Sequence, residues 1–444
     1  IPELVRRALR KSWEGRPGVV HVDVPESLMN GKVKAEVATW APQTYKRTHP
    51  TAAPAEAVAR AAQILAGAKL PAIHAGSGVI HAGAYAELAR VAELLHAPVV
   101  TSWAARGVLS EDSPLAIPMV HVKLCHQVRN EADAMLIVGS RIGETDWWGK
   151  PPYWRRATEQ QTVQVDTDGE TIGQHRPADL GVLADAKLFL AALAAELARR
   201  GGGEHGPRRE ALERWRKQMA RDRERWDRAL AERQSPMNPA HVAHACAEVF
   251  PADAVQVADG GNATIWTMFH WQVRQPNTLL STFKFGMLGA GVAQALGAAA
   301  AQPGRPVCCI IGDGAMGFHP QEVETAVRNH LPVVYLVLCD KQWGMVKMNQ
   351  QFMLRPLKTM IMKSLGPDET IKTDLGEIEF DRMAQAMGAH GERVADPRLL
   401  RPALERAIAS GKCAVIHVDV DPVKHMWAPG LIHFKKMHEE PKGR

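Results

Sequence analysis

Short apolar runs recur along this chain, each closed by glycine or aspartate and followed by a stretch with helical spacing. From about Pro54 to Leu197, "AEAVARAAQILAGA", "AYAELARVAELLHA" and "DAKLFLAALAAEL" space their apolar residues as amphipathic helices do. Between them, "LPAIHAGSGV", "PVVTS", "AMLIVGS" and "TVQVDTD" are apolar enough to be strands covered on both faces. The alternation resumes after Ser235, with strands "AVQVADGGN", "PVCCIIGDG", "PVVYLVLCD" and "CAVIHVDV" and helices "GAGVAQALGAAAA" and "PQEVETAVRN". In "SPMNPAHVAHACAEVF", Asn238 is placed to cap a helix with Pro239 at its first position. This order predicts an α/β protein with two doubly wound parallel-sheet domains. At the start, "PELVRRALRKSWEG" reads as a helix and "RPGVVHVDVP" as a buried strand. One helix and one strand cannot make a domain, so this segment is expected to be the tail end of a third α/β domain.

Length agrees with several domains, since 444 residues exceed what one hydrophobic core holds. The expected division is 1–32 for the remnant, 50–198 for a central domain, 199–236 for a charged helical linker and 237–444 for a last domain. Hydrophobic residues make up 46% and charged residues 23%, the balance of a soluble globular chain. No run approaches the roughly 20 apolar residues of a membrane span, and the first residues have no signal-peptide core. The net charge is +6, and much of it sits in Ala198–Gln234. Acidic residues alternate with arginine throughout that segment, which suits a solvated helix and makes a poor track for nucleic acid. The six cysteines are scattered without ligand spacing, as expected of reduced core residues in a cytoplasmic protein.

The chemistry concentrates in "IIGDGAMGFHPQEVETAVRNHLPVVYLVLCDKQWGMV", Ile310 to Val346. Two apolar strands here end on carboxylates, Asp313 and Asp340, although burying an unpaired charge is costly. In open parallel sheets ligands bind outside the carboxyl ends of the strands. Two oxygen ligands converging there suit a hard divalent cation such as Mg²⁺. The glycines beside Asp313 let backbone N–H groups approach an anion. Cation and anion cradle together point to a diphosphate bridged by metal. Each carboxylate taken alone could instead be a helix cap.

The order "GDGAMGFHPQEVETAVRNHLPVVYLVLCDKQWG" resembles the thiamine-diphosphate binding motif, which opens with GDG and closes nearly thirty residues later on two asparagines. The resemblance implies that Asp313, Asp340 and the backbone carbonyl of Gln342 hold Mg²⁺. Cys339 and Asp340 stand where the motif has its asparagines, which adds one negative charge and leaves Cys339 as a packing residue. "DGGNATIW" resembles the turn that holds the cofactor's diphosphate end, which implies Gly260, Gly261 and Asn262. Gly312, Gly314 and Ala315 complete the expected cradle. "FGMLGAGVAQALGAA" resembles the segment, including Gly286, that sets an apolar wedge under the cofactor, and Leu288 takes the wedge position.

Together these blocks identify the chain as resembling thiamine-diphosphate-dependent enzymes of the acetolactate synthase and pyruvate oxidase type, over nearly its whole length. The resemblance implies covalent catalysis by the cofactor on a 2-oxo acid, decarboxylation coupled to carboligation. The family's activating glutamate is expected upstream of Ile1, so no catalytic base is named within this chain. Met345, Val346 and Asn349 in "WGMVKMNQQF" are expected to line the substrate pocket, and Asn349 stands where acetolactate synthases usually carry tryptophan. Arg141 of "GSRIGE" matches a flavin-contacting arginine, but the acidic pair and second arginine of that motif do not follow. Flavin or another nucleotide in the central domain thus stays open, because the glycine turns "HAGSGV" and "VGSRIG" suit either a phosphate or a tight turn. His319 in "GFHPQE" is the histidine best placed to face the site, and "KHMWAPGLIHFKKMHEEPKGR" is expected to pack over the last domain as a tail.

Related readings are a 2-hydroxyacyl-CoA lyase or oxalyl-CoA decarboxylase-like lyase on an acyl-CoA, a sulfoacetaldehyde acetyltransferase-like enzyme, and a non-catalytic subunit retaining the fold. A Rossmann dehydrogenase is disfavoured by the lack of its glycine fingerprint. The resemblance implies a homodimer or homotetramer, or pairing with a chain that carries the pyrimidine-binding domain. No nucleic-acid or membrane partner is expected.

Overall fold

The computed structural model describes residues 1–32, 39–46, 48–201, 206–282, 285–437 and 439–442. Residues 202–205 of the expected linker and the last two residues of the expected 237–444 domain lie outside them. Two compact units divide the chain, 1–105 with 126–210 and 439–444, and 106–125 with 211–438.

The first six strands are β1 (Pro71–Ala75), β2 (Val99–Thr101), β3 (Ala116–Ile117), β4 (Ala134–Val138), β5 (Gln161–Asp166) and β6 (Leu180–Leu183). The two-residue strand β3 belongs to the second unit, and the other five form the sheet of the first, in the order β2-β1-β4-β5-β6. Every residue of β1 and β4 is buried, the sign of a parallel sheet covered by helices on both faces. The helix Ala55–Gly67 turns Val58, Ala61, Ala62, Ile64 and Leu65 inward. The helix Ala186–Arg200 begins where the Asp185 carboxylate accepts the N–H groups of Lys187 and Leu188.

The glycine turns after β1 and β4 lie against each other. The Gly78 N–H donates to the Gly139 carbonyl at 3.0 Å. A Cβ on Gly76 would stand 2.2 Å from that same oxygen, so two backbones meet where no side chain fits. Close backbone packing therefore accounts for these glycines. Beneath them Asp146 is buried with His74 and Arg129, and its carboxylate accepts from Arg129 at 3.0 Å.

The second sheet has the order β11-β12-β10-β9-β7-β8. It comprises β7 (Val255–Asp259), β8 (Leu279–Ser281), β9 (Val307–Gly312), β10 (Val333–Cys339), β11 (His390–Val394) and β12 (Ala414–Asp419). β9 and β10 are parallel neighbours, with Leu338 opposite Gly312, so Asp313 and Asp340 leave the sheet side by side. β7 flanks β9 on the other side, with Asp259 opposite Ile311. Three strand ends thus open along one stretch of rim.

Two expectations need correction. "RPGVVHVDVP" forms no strand; Val19 is wholly exposed and Val20 is 39% exposed. Its apolar character is strand-like, but a strand exists only by pairing, and no described residue pairs with it. Helix Ala240–Val249 starts one residue later than expected, with Pro239 outside it, although the Asn238 side chain still accepts the Ala240 N–H at 3.1 Å.

Candidate active site

The site lies within the second unit, at the carboxyl ends of β7, β9 and β10. Asp313 opens a one-turn helix after β9 and is buried. Its Oδ1 accepts the Gly314 N–H at 2.7 Å, and its Oδ2 accepts the Lys341 N–H at 2.8 Å. One carboxylate thereby ties the turn after β9 to the turn after β10. Burial, and next the charge of Asp340, push the Asp313 carboxyl up to about 7, against the pull of those two N–H groups. A site that makes a carboxylate this reluctant to ionise is one that a divalent cation would relieve.

Asp340 is buried beside it. Its Oδ2 accepts from His425 Nδ1 at 2.7 Å and from Gln342 Nε2 at 3.1 Å. Gln342 is the third expected ligand. Its backbone carbonyl accepts the Gly344 N–H at 2.9 Å, while its side chain also donates to the Pro422 carbonyl at 2.8 Å. Gln342 thus braces Asp340 in addition to presenting a carbonyl at the rim.

All the cradle glycines but Gly312 stand close against other residues. Gly260 ends β7 at φ +89°, and a Cβ there would approach the Gly312 nitrogen to 3.3 Å and the Ala315 Cβ to 3.7 Å. A Cβ on Gly261 would stand 2.9 Å from Met345 Cβ, and one on Gly314 would stand 2.7 Å from the Trp343 ring. Gly312 has open space where a Cβ would be. The turns 259–262, 312–315 and 340–345 therefore form one cluster of closely apposed backbone. Asn262 belongs to it, since a Cβ on Gly344 would meet the Asn262 Nδ2 at 2.6 Å and Asp340 Oδ2 at 3.4 Å. The Asn262 side chain is buried, yet neither its nitrogen nor its oxygen has a hydrogen-bond partner. Such an amide is costly unless a ligand completes it.

The other expected residues divide. Leu288 packs against the core cluster that contains Ala315 and Met316. Gly286, at φ +67°, is exposed with nothing within 4 Å of a Cβ position. Met345 lies against Gly261, Val346 is 48% exposed, and Asn349 is exposed on the helix Gly344–Leu354. His319 does approach the site, with its ring 2.9 Å from a Cβ position on Gly289. Cys339 is a buried packing residue.

Two contributors escaped the sequence reading. Asp259 is buried at the end of β7, and its carboxylate accepts the N–H of Gly260 at 2.6 Å and of Gly291 at 2.7 Å. Burial raises its pKa, and those N–H groups oppose the rise. It pins the start of the helix Ala290–Ala301 to the cradle turn. The fully conditional signal was its place at a strand end before two glycines. His425 comes from the helix Pro422–Met426, where the expected tail begins, and reaches Asp340, whereas residues 439–444 at the end of that tail belong to the first unit. No local pattern marks His425.

Fold and site together define a parallel α/β protein that gathers two hard carboxylates, close-approach glycines and a waiting amide at one strand rim. These residues fit a diphosphate held through a divalent cation. The comparisons with known proteins bear on the diphosphate. Residues 259–418 match the C-terminal TPP binding domain of thiamine pyrophosphate enzymes, and residues 58–193 match their central domain. The chain is 32% identical to the acetolactate synthase large subunit IlvG of Mycobacterium tuberculosis, across 94% of this chain and 71% of that protein. It is 26% identical to the acetolactate synthase isozyme 3 large subunit of Escherichia coli, covering 96% and 73%. It is 29% identical to a sulfoacetaldehyde acetyltransferase of Castellaniella defragrans, covering 88% and 66%. A thiamin diphosphate-dependent enzyme from Mycobacterium smegmatis shares the fold, with a TM-score of 0.70 at 20% identity over 95% of this chain and 74% of that one. The chain belongs to the thiamine pyrophosphate enzymes, among relatives of acetolactate synthase.

Proposed function

We propose that this protein is a Mg²⁺-dependent carboligase that decarboxylates a 2-oxo acid and transfers the remaining two-electron donor fragment to an acceptor, as an acetolactate synthase does. The observation that carries the reading is the Asp313 carboxylate, buried beside Asp340 and bonded to the Lys341 N–H. When bound, thiamine diphosphate supplies the electron sink that decarboxylation next to a carbonyl requires. Asp313, Asp340 and the Gln342 carbonyl would hold the cation, and Gly260, Gly261, Gly312, Gly314 and Asn262 would receive the diphosphate. Leu288 would support the ring system, and Met345 would border the substrate.

Acetolactate formed from pyruvate, with CO₂ released in step, tests the reading on protein supplied with thiamine diphosphate and Mg²⁺. Release of CO₂ without a ligated product would point to a simple decarboxylase. A second reading, an acetyltransferase acting on sulfoacetaldehyde, is favoured by the 29% identity to the Castellaniella protein. Turnover of sulfoacetaldehyde but not pyruvate selects it. Dependence on coenzyme A would instead select an acyl-CoA lyase.

A homo-oligomer belongs to the same proposal. Met353, Leu357 and Ile361, each at least 78% exposed, give the stretch after the metal turn an apolar face that a second subunit would cover. Among the described residues no helix is long and apolar enough to cross a membrane. A cytoplasmic location fits the six free, buried cysteines.

A further inference from the structure

We propose that His425 is a positioning residue of the cation site, holding the Asp340 carboxylate so that one oxygen remains for the metal; the inference rests on the diphosphate–cation reading above. Asp340 faces two constraints. It is buried, and it stands beside a second carboxylate whose own ionisation it opposes. Left unpaired, it would be free to turn its oxygens toward any donor. Two donors converge instead on a single oxygen, Oδ2, from His425 Nδ1 at 2.7 Å and Gln342 Nε2 at 3.1 Å. Neither of these contacts engages Oδ1. A carboxylate that binds a cation only accepts, so the proposal requires the imidazole proton on Nδ1.

The imidazole is itself fixed. His425 is buried, and its backbone carbonyl accepts the Trp266 indole N–H at 3.1 Å. Its helix, Pro422–Met426, is capped by Asp421, which accepts the N–H groups of Val423 and Lys424. The start of that helix is tied back to the metal turn by the bond from Gln342 Nε2 to the Pro422 carbonyl. The ring's other nitrogen, Nε2, is buried without a partner. The one side-chain hydrogen bond its ring makes is therefore the one from Nδ1 to Asp340. Partners of this kind, one bond removed from a metal, orient the ligand and typically change metal affinity about 10–100-fold when removed.

The test measures Mn²⁺ retention by electron paramagnetic resonance, on protein with thiamine diphosphate present, for wild type, His425→Leu, His425→Asn, Asp340→Asn and the double variant Asp340→Asn/His425→Leu. Asparagine keeps a donor near the Nδ1 position, and leucine removes it. The proposal expects His425→Leu to weaken Mn²⁺ about tenfold or more, with His425→Asn recovering most of the loss. Against Asp340→Asn, the further change His425→Leu should cost little, because the carboxylate it positions is gone. Equal Mn²⁺ affinity in wild type and His425→Leu overturns the proposal while leaving the cation site intact, as does the same loss in both backgrounds. A wild type that retains no Mn²⁺ overturns the cation reading and this inference with it. Should His425→Leu fail to fold, nitrogen spectra of histidine-labelled wild type decide, with His425→Asn identifying the resonance. The Nδ1–H signal must shift when Mg²⁺ is added to metal-free protein, and a signal indifferent to the cation overturns the proposal.

Discussion

The side chain of Asp313 accepts the backbone N–H of Lys341 at 2.8 Å, so the acid that ends one strand is bonded to the residue that follows the acid ending its neighbour. The sheet supplies this relationship, because β9 and β10 are parallel and adjacent, with Leu338 opposite Gly312. Two carboxylates are thereby brought together at a cost that a proton or a cation would remove.

That cost predicts a pH dependence in the metal-free protein. The Asp313 carboxyl is raised to about 7 in the folded chain, mainly by burial, against about 3.9 for an unperturbed aspartate. Between those values the folded state binds a proton that the unfolded state has lost. Stability from this group is therefore full below about 4 and is lost as pH rises through about 7. Thermal melts without metal should show a higher Tm near pH 5.5 than near pH 8. Saturating Mg²⁺ should narrow the difference.

Asp313→Asn removes the buried charge while keeping the shape. It should raise the metal-free Tm at pH 8 and flatten the profile just described. An unchanged profile in this variant would assign the pH dependence to another group.

Gly260 sits at φ +89° with the Gly312 nitrogen 3.3 Å from where a Cβ would be. Gly260→Ala should cost about 1–3 kcal/mol by denaturant melt, from strain in that backbone region. Gly286→Ala, also at positive φ but with nothing within 4 Å, should cost less, which isolates the crowding at the cradle.

Arg106 and Glu111 form a buried ion pair within the second unit, with two bonds of 2.6 and 2.7 Å. The same guanidinium donates to the Met268 carbonyl near the end of the helix Gly261–His270, whose first residues form the cradle. Arg106→Met leaves Glu111 buried and unpaired, and should cost about 3–5 kcal/mol of stability. Chemical denaturation measures it directly.

What the sequence made legible follows from the range of the forces involved. Asp313 and Asp340 could be found because each ends an apolar run, and strand ends in parallel sheets are where ligands bind. Their glycines were legible for the same reason. β8 and β11 were not, because Leu279–Ser281 is short and half-buried, and "HGERV" of β11 carries polar residues along a less covered edge. "VVHVDV" failed in the opposite sense, since local apolar character cannot report whether a partner strand exists. His425 was invisible because its bond to Asp340 spans 85 residues, and only the fold brings them together.

The most direct measurement is a calorimetric titration of thiamine diphosphate into the protein, with Mg²⁺ and again with chelator. The account predicts binding with Mg²⁺ that weakens at least about tenfold, some 1.4 kcal/mol, when the metal is removed, and that is likewise lost in Asp313→Asn. Equal binding in chelator, or in Asp313→Asn, would contradict it.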